Sequence, residues 1–301
     1  MKKSGMKLAI VGAGKWGQAL NHAFSQRNDV VITSPHRRNL ENFVSVEKAL
    51  EREYLVLAIP AQHVREWMQK HFVDRGQKIL VAAKGIEIAT GALLNEVFET
   101  FVPSDRLAFL SGPSFAAEVM RSLPTALVVS SLRRELAESY AAALPDFIKG
   151  YVDDDVTGAE VGGAYKNVIA IAGGVCDGLE LGNNARAAMI SRGLVEMARF
   201  GEYYGARDRS FLSLGGAGDL FLTASSRLSR NYRVGLGLAE GKPLAQILDD
   251  LGEVAEGVGT AEALHHIAEK RELYLPIARE VHAMLFERKA ARQSVSDLLK
   301  G

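Results

Sequence analysis

Residues 7–17 read KLAIVGAGKWG, a short apolar run that leads directly into the pattern G-x-G-x-x-G. This pattern between a strand and a helix is typical of a dinucleotide-binding loop. Gly12 permits the tight turn, Gly14 lets the backbone approach a pyrophosphate, and Gly17 lets the helix pack on the strand. The N–H groups and the dipole at the start of the helix stabilise the anion. We therefore favour a dinucleotide site over an ordinary glycine-rich turn.

The first half of the chain alternates apolar runs with amphipathic stretches. The runs rich in β-forming residues occupy 7–11, 30–33, 55–59, 79–83, 107–110 and 126–130. Continuous apolar runs separated by helical segments predict parallel strands that crossover helices cover on both faces. The predicted fold class is α/β, with a doubly wound, mostly parallel, Rossmann-like sheet.

The second half has a different period. Five apolar residues repeat at the spacing of one helix face, namely Val161, Ala164, Val168, Ile171 and Val175. Further helical patterns cover 185–204, 220–227, 244–251, 260–270 and 277–289. We predict an all-α C-terminal domain at 156–301 after a dinucleotide-binding domain at 1–155, with the acidic run Asp153-Asp154-Asp155 as the hinge.

Composition narrows the classes of function. The chain has 301 residues, of which 36 are basic and 36 acidic, so its net charge of zero supplies no field for a nucleic acid or a membrane surface. The single cysteine, Cys176, excludes an intramolecular disulfide framework and a multi-cysteine metal site. His265 and His266 point to different sides of a helix and no H-E-x-x-H occurs, so no metal site is expected. No apolar stretch reaches the roughly 20 residues that cross a bilayer, and we predict a cytoplasmic protein without membrane insertion.

The loop after the second predicted strand indicates which dinucleotide is bound. An NAD site usually carries a carboxylate here for the ribose 2′-hydroxyl. The chain instead reads Ser34-Pro35-His36-Arg37-Arg38. A guanidinium such as that of Arg37 matches a 2′-phosphate. We predict a preference for NADP(H), with NAD(H) as the second option; a merely solvated pair of arginines is the alternative.

Polar residues interrupt the apolar helix that begins near residue 160. Lys166 and Asn167 depart from its apolar stripe, and a lysine beside a low-dielectric cleft can exchange protons near neutrality. A surface lysine is the competing interpretation. Asp219 and Thr223 share a helix face at spacing i, i+4, although Asp219 also suits a helix cap. A stripe of small residues on the first helix leaves room for a ligand or another backbone: Gly163, Asn167, Ala170 and Gly174.

Two further places suit a small anionic substrate. Arg230 offers a planar fork between Ser229 and Asn231, which suits a phosphate. Lys84 and the segment 111–114 follow two predicted strands, and the carboxyl ends of parallel strands line the ligand crevice of this architecture. A plain turn is the alternative for 111–114.

The chain resembles the NAD(P)-dependent sn-glycerol-3-phosphate dehydrogenases of the bacterial type. The likeness spans almost the whole chain, and its most specific blocks run from Gly162 through Lys166-Asn167, Asp177-Gly178, 182–185 and Arg192-Gly193 to 216–220 and 229–231. The resemblance implies reversible hydride exchange between a nicotinamide and carbon 2 of dihydroxyacetone phosphate. The product, sn-glycerol 3-phosphate, feeds glycerophospholipid synthesis.

The resemblance also implies roles for individual residues. Lys166 is then the proton donor and acceptor, and the reacting centre is lined by Lys84, Asn167, Asp219 and Thr223. The residues that hold the phosphorylated triose are Gly112, Ser114, Ser229, Arg230 and Asn231, together with Lys84, Lys166 and Asp219. The cofactor-contacting positions are Lys15, Trp16, Lys84, Ala116, Arg230, Val254 and Glu256, besides Gly12, Gly14, Gly17 and Arg37.

One departure from the family pattern is a short connection between Arg38 and Leu55, which reduces the wall around the adenosine end. Two alternatives stay open from the residues alone: a related two-domain reductase of another small carbonyl acid, and an NAD(P)-binding regulator without turnover. We expect the Lys166 ammonium to meet the nicotinamide across the gap between the two halves. A homodimer is one option for the assembly.

Overall fold

The computed structural model describes residues 5–300, which form two compact units. The first unit comprises the described residues up to Lys84 and those from Leu94 to Ala159, and the second comprises 85–93 and the described residues from Glu160. The segment 85–93 was assigned to the first half by sequence, yet its Ile86 and Leu93 belong to the core of the second unit. The division at 155/156 stays a prediction, because compactness alone does not show which part folds independently.

The first unit contains a seven-stranded sheet in the order β2-β1-β3-β4-β5-β6-β7. All neighbouring strands are parallel except β5 and β6, which are antiparallel. The strands are β1 (Lys7–Val11), β2 (Asp29–Thr33), β3 (Tyr54–Leu57), β4 (Lys78–Val81), β5 (Leu107–Ser111), β6 (Thr125–Ser130) and β7 (Ile148–Asp153). The predicted α/β class with a mostly parallel, Rossmann-like sheet is confirmed.

Helices accompany this sheet. They are α1 (Lys15–Ser25), α2 (Val46–Ala49), α3 (Val64–His71), α4 (Leu94–Glu99), α5 (Ala116–Val119) and α6 (Arg134–Ala142). The fully buried Leu20 and Phe24 of α1 lie in one core cluster with Leu8 and Ile10 of β1. This packing fixes the start of α1 beside the end of β1, where the glycine loop lies.

Strand β7 was not predicted, because only its first residue is buried and it therefore lacks a continuous apolar run. Asp153 ends this strand, and the Asp155 carboxylate accepts a hydrogen bond from the Gly158 N–H at 2.9 Å. The acidic run expected as a hinge therefore closes a strand and caps the helix that follows.

The second unit is helical, as predicted. From α7 onward the helices are α7 (Val156–Gly178), α8 (Gly182–Tyr203), α9 (Asp208–Phe211), α10 (Asp219–Ala224), α11 (Arg230–Ala239), α12 (Leu244–Leu251), α13 (Glu256–Arg271), α14 (Pro276–Phe286) and α15 (Ala291–Lys300), with a π-helical turn at Leu214–Gly218. Helices α9, α11 and α15 were not predicted. None of the helices within residues 5–300 has the length and apolar composition needed to cross a bilayer.

Helix α7 is buried over nearly all of its length, and its apolar side chains form the centre of the second core. Its stripe of small residues serves helix packing at Gly174. A Cβ built at Gly174 would lie 2.0 Å from the carbonyl oxygen of Tyr232 in α11. Of the two uses considered for the stripe, the close approach of another backbone therefore accounts for this position.

Candidate active site

The glycine loop has the shape that its sequence predicts. Gly12 has φ +109°, and a Cβ there would lie 2.4 Å from the Ala58 carbonyl oxygen, so only glycine fits the turn. A Cβ at Gly17 would lie 1.7 Å from the Gly12 carbonyl oxygen. At Gly14, by contrast, no heavy atom lies within 4 Å of an added Cβ. The loop is thus tight at its first and third glycines and open at the second, where a pyrophosphate would approach.

The start of α1 supports anion binding at the same place. Lys15 opens the helix, its N-cap is Gly14 without a side-chain cap, and its first turn holds no acidic residue. The N–H groups and the positive end of the helix dipole therefore suit a phosphate. Trp16 donates its indole N–H to the Ala82 carbonyl oxygen at 3.2 Å, which ties the helix to the end of β4. These residues fit the dinucleotide that the sequence predicts.

The loop after β2 places both arginines in solvent. Arg37 and Arg38 are exposed, and the Ser34 hydroxyl donates to the carbonyl oxygen of His36 at 2.6 Å. The hydrogen bond closes the turn next to the strand end. An exposed guanidinium at this position is available to a 2′-phosphate.

The predicted residues at the strand ends lie in the first unit. Lys84 is half-buried three residues after β4 ends. Gly112 follows β5 with φ +112°, and the Ser114 hydroxyl donates to its carbonyl oxygen at 3.2 Å. Ala116 begins α5 and is half-buried. An internal hydrogen bond thus holds the turn 112–114, and the half-buried Ser114 lies close to the end of β5.

The second unit contains a buried ion pair. Lys166 of α7 donates from Nζ to the Oδ1 of Asp219, and the two residues are 6% and 1% exposed. Thr223 Oγ1 donates to the same carboxylate oxygen at 3.4 Å. The N-cap of α10 is Gly218, so Asp219 lies in the first helical turn and does not occupy the cap position. The surface-lysine interpretation is wrong, because the ammonium is held inside the protein against a carboxylate.

A buried ion pair of this kind forms only when its interactions offset the cost of removing two charges from water. Burying two charges costs several kcal/mol per ion, and close pairing with further hydrogen bonds offsets that cost. A lysine held this way has its ammonium at a fixed place in a low-dielectric environment, where its field on a reacting oxygen is strong. The arrangement can stabilise a developing oxyanion and transfer a proton to it.

Two asparagines beside this pair connect three helices. Asn231 of α11 donates from Nδ2 to the Oδ1 of Asn167 in α7 at 2.9 Å, and its own Oδ1 accepts from the Gly257 N–H of α13 at 2.9 Å. Asn167 donates from Nδ2 to the Gly163 carbonyl oxygen at 3.3 Å. Both asparagines are buried, so the network fixes α7 where Lys166 projects.

The predicted phosphate cluster lies at the start of α11. The buried Ser229 caps the helix, with its Oγ accepting from the Tyr232 N–H at 3.2 Å. Arg230 is the first helical residue, and its side chain is 41% exposed. One guanidinium nitrogen lies 3.6 Å from the Glu253 carboxylate. A guanidinium that stays accessible beside a helix start suits a phosphate group.

The residues after Glu253 include two predicted cofactor positions. Val254 is exposed and Glu256 is half-buried at the start of α13. Two other residues contact the predicted site residues and were not predicted from sequence, namely Glu253 and Gly257. A Cβ at Gly257 would lie 2.8 Å from both the Asn231 Oδ1 and the Asn167 carbonyl oxygen. Their roles arise from contacts across more than 20 residues, for which no local pattern exists.

Two family models match this chain. Residues 32–137 match the model described as NAD-dependent glycerol-3-phosphate dehydrogenase N-terminus, and residues 155–296 match the model described as the C-terminus of the same enzyme. Together the two matches cover most of the described residues of both units.

Curated proteins and a solved structure share this similarity. A protein of Nitratiruptor sp. named glycerol-3-phosphate dehydrogenase (NAD(P)+) is 62% identical over 93% of this chain and 94% of its own length. A protein of the same name from Campylobacter jejuni subsp. doylei is 55% identical over 98% and 99%. The crystal structure of glycerol-3-phosphate dehydrogenase from Coxiella burnetii has a TM-score of 0.90 at 32% identity and covers 99% of both chains.

Proposed function

This chain belongs to the NAD-dependent glycerol-3-phosphate dehydrogenase family, and we propose that Lys166 is its proton donor and acceptor. The protein is an oxidoreductase that reversibly reduces dihydroxyacetone phosphate to sn-glycerol 3-phosphate with NAD(P)H. The observation that supports the role of Lys166 is its buried ion pair with Asp219.

The proposed role of Lys166 follows from the charge that develops on the substrate oxygen during hydride transfer. The nicotinamide, when bound, supplies a hydride to carbon 2 of the ketone or accepts one from the alcohol. Reduction places negative charge on the substrate oxygen, and the Lys166 ammonium stabilises that charge and donates the proton. Asp219 holds Nζ in position through their ion pair. In the reverse direction the neutral lysine accepts the hydroxyl proton.

We propose that the other residues keep the roles that the resemblance implies. Lys84, Asn167 and Thr223 line the reacting centre with Asp219. The substrate-holding residues are Gly112, Ser114, Ser229, Arg230 and Asn231. The cofactor-holding residues are Gly12, Gly14, Lys15, Trp16, Gly17, Arg37, Lys84, Ala116, Arg230, Val254 and Glu256. For Asn231 the buried bonds to Asn167 and Gly257 support a positioning role besides any substrate contact.

An absorbance assay separates the substrates. We expect the purified protein to oxidise NADPH with dihydroxyacetone phosphate, and to show far lower kcat/KM with glyceraldehyde 3-phosphate or a 2-keto acid. Arg230 suits a phosphate, which the keto acid lacks, while glyceraldehyde 3-phosphate has its carbonyl at carbon 1 and not at carbon 2. Faster turnover of the keto acid would favour the reductase alternative that the residues alone left open.

Arg230→Ala is expected to raise the KM for dihydroxyacetone phosphate by about 10- to 100-fold, because a charge-assisted contact contributes about 1.5–3 kcal/mol. The expected change in kcat is smaller, since a phosphate contact holds the ground state and the transition state alike. The measurement is steady-state kinetics with each substrate varied in turn. Arg227→Ala, at an exposed arginine three residues earlier, is the matched control and leaves both constants near the parent values. An unchanged KM in Arg230→Ala would contradict the assignment.

We also propose a preference for NADP(H), with NAD(H) as the weaker cofactor. Support comes from the exposed Arg37 after β2 and from the lack of a carboxylate in Ser34-Pro35-His36-Arg37-Arg38. The expected kcat/KM with NADPH exceeds that with NADH by at least about tenfold, the worth of one charge-assisted contact. Arg37→Ser reduces the NADPH value and leaves the NADH value unchanged, while Arg38→Ser is the neighbouring control. Equal efficiency of the parent enzyme with both cofactors would overturn the preference.

Several broader features remain proposals. We propose independently folding domains at 1–155 and 156–301, a cytoplasmic location, and a product that feeds glycerophospholipid synthesis. A homodimer is supported by large apolar side chains that the second unit leaves exposed, among them Val195, Leu212 and Phe221. Size-exclusion chromatography with light scattering distinguishes the dimer from the monomer.

A further inference from the structure

We propose that His265, His282 and Glu287 bind a divalent transition-metal ion of the zinc type, at a site that shares no residue with the proposed active site. One ligand atom from each of the three residues lies within 4.8 Å of the other two. His265 belongs to α13, His282 to α14, and Glu287 follows the last residue of α14. The sequence predicted no metal site, because none of these residues falls in a known short motif.

The strongest observation is that a ring nitrogen of His282 is buried without a hydrogen-bond partner among the described residues. This residue is 9% exposed, and the nitrogen is its Nδ1. The Glu287 Oε1 lies 3.3 Å away but does not have hydrogen-bond alignment. A buried polar atom without a partner is rare in folded proteins, because it loses its hydrogen bond to water and gains none in return. A metal ion between the imidazole nitrogen and the carboxylate would satisfy both.

The second imidazole is placed against the first. The rings of His265 and His282 are stacked, with centroids 3.6 Å apart and planes 11° from parallel. His265 Nε2 also lies 3.6 Å from the Oε1 of Glu269, one helical turn later on α13. Two imidazoles and the Glu287 carboxylate thus lie in one small region, with Glu269 next to His265.

The donor set suits zinc. Zn²⁺ takes imidazole nitrogen and carboxylate oxygen at about 2.0–2.2 Å in tetrahedral geometry, which sets neighbouring ligand atoms about 3.3 Å apart. The three ligand atoms therefore need to approach one another by about 1.5 Å at most. The side chain of His265 is 22% exposed, so its ring has room to turn toward an ion. A water molecule would complete four ligands.

The surroundings leave this site accessible to an ion. Glu287 and Glu269 have side chains that are 60% and 69% exposed, which gives an ion a path from solvent. A bound ion would join α13 to α14 and stabilise the folded second unit through mass action.

The test uses untagged full-length protein, treated with a chelator and dialysed, and titrated with Zn²⁺ by calorimetry. We expect one ion per chain and a higher thermal midpoint with saturating Zn²⁺. Co²⁺ in place of Zn²⁺ is expected to give the intense visible absorption of a four-coordinate site with nitrogen and oxygen ligands. His265→Gln and Glu287→Gln, both at partly or well exposed positions, are expected to weaken binding at least about 100-fold, since each removes a direct ligand.

A control variant shows whether a loss of binding is specific to the proposed ligands. His266→Gln changes the adjacent, exposed histidine and is expected to leave the affinity unchanged. Circular dichroism identifies any variant that fails to fold, and His282→Gln is interpreted only if it folds. Absence of binding by the parent protein would overturn the proposal, as would equal affinity in His265→Gln or a comparable loss in His266→Gln. The measurement does not depend on dehydrogenase activity. A failure of the metal site can therefore be distinguished from a failure of the proposed catalytic roles.

Discussion

Lys166→Ala is expected to lower kcat by about 10²- to 10⁴-fold, the usual contribution of a positioned general acid. The substrate oxygen then develops its charge without the ammonium that Asp219 holds in place. NADPH binding, measured by fluorescence titration, is expected to stay near the parent value, because none of the glycine-loop residues changes. A near-normal kcat would remove Lys166 from its role.

The same substitution also tests the ion pair. Removing one partner leaves the Asp219 carboxylate buried without its ammonium, which costs about 3–5 kcal/mol of the free energy of unfolding. Lys166→Ala/Asp219→Asn neutralises that carboxylate and is expected to recover part of the lost stability while leaving kcat low. Added methylamine is expected to restore part of the turnover of Lys166→Ala alone, because a small amine can supply the missing ammonium. A residue with a purely structural role would show recovery of stability without any response to the amine.

Gly17→Ala is expected to lower the free energy of unfolding by at least about 3 kcal/mol, since overpacking against a backbone atom lies at the upper end of such costs. The added Cβ would lie 1.7 Å from the Gly12 carbonyl oxygen, and a backbone atom cannot move aside as a flexible side chain does. The start of α1 would have to shift away from β1, and the pyrophosphate site would be lost with it. Chemical denaturation and NADPH titration measure the two effects.

Gly14→Ala is the matched control for this prediction. No heavy atom lies within 4 Å of its added Cβ, and the φ of −72° at Gly14 suits alanine. The stability of Gly14→Ala is therefore expected to stay close to that of the parent, while its dissociation constant for NADPH rises at least about tenfold because the methyl group occupies the anion cradle. Unchanged NADPH affinity in Gly14→Ala would show that no pyrophosphate binds over this loop.

The sequence by itself determined the features that local patterns record. The six apolar runs correspond to β1–β6, because a parallel strand buried on both faces is apolar along its whole length. Gly12, Gly14 and Gly17 were assigned separate roles from their spacing; the loop is tight at Gly12 and Gly17 and open at Gly14. The helical period of α7 was visible for the same reason, because the buried face of a continuous helix places apolar residues at a regular spacing along the sequence.

Only the tertiary structure decided which distant residues meet. Lys166 and Asp219 stand 53 residues apart, and nothing in either neighbourhood shows that they form one buried ion pair. The joining of Asn167 to Asn231, the stacking of His265 on His282 and the packing of 85–93 with the helical unit have the same origin. Strand β7 is interrupted by Lys149 and Gly150 and is partly exposed, so it is held by pairing with β6 and not by its own pattern. A local period reports how each element is buried, whereas these contacts depend on how separate elements pack, and that is settled by the free energy of the whole core.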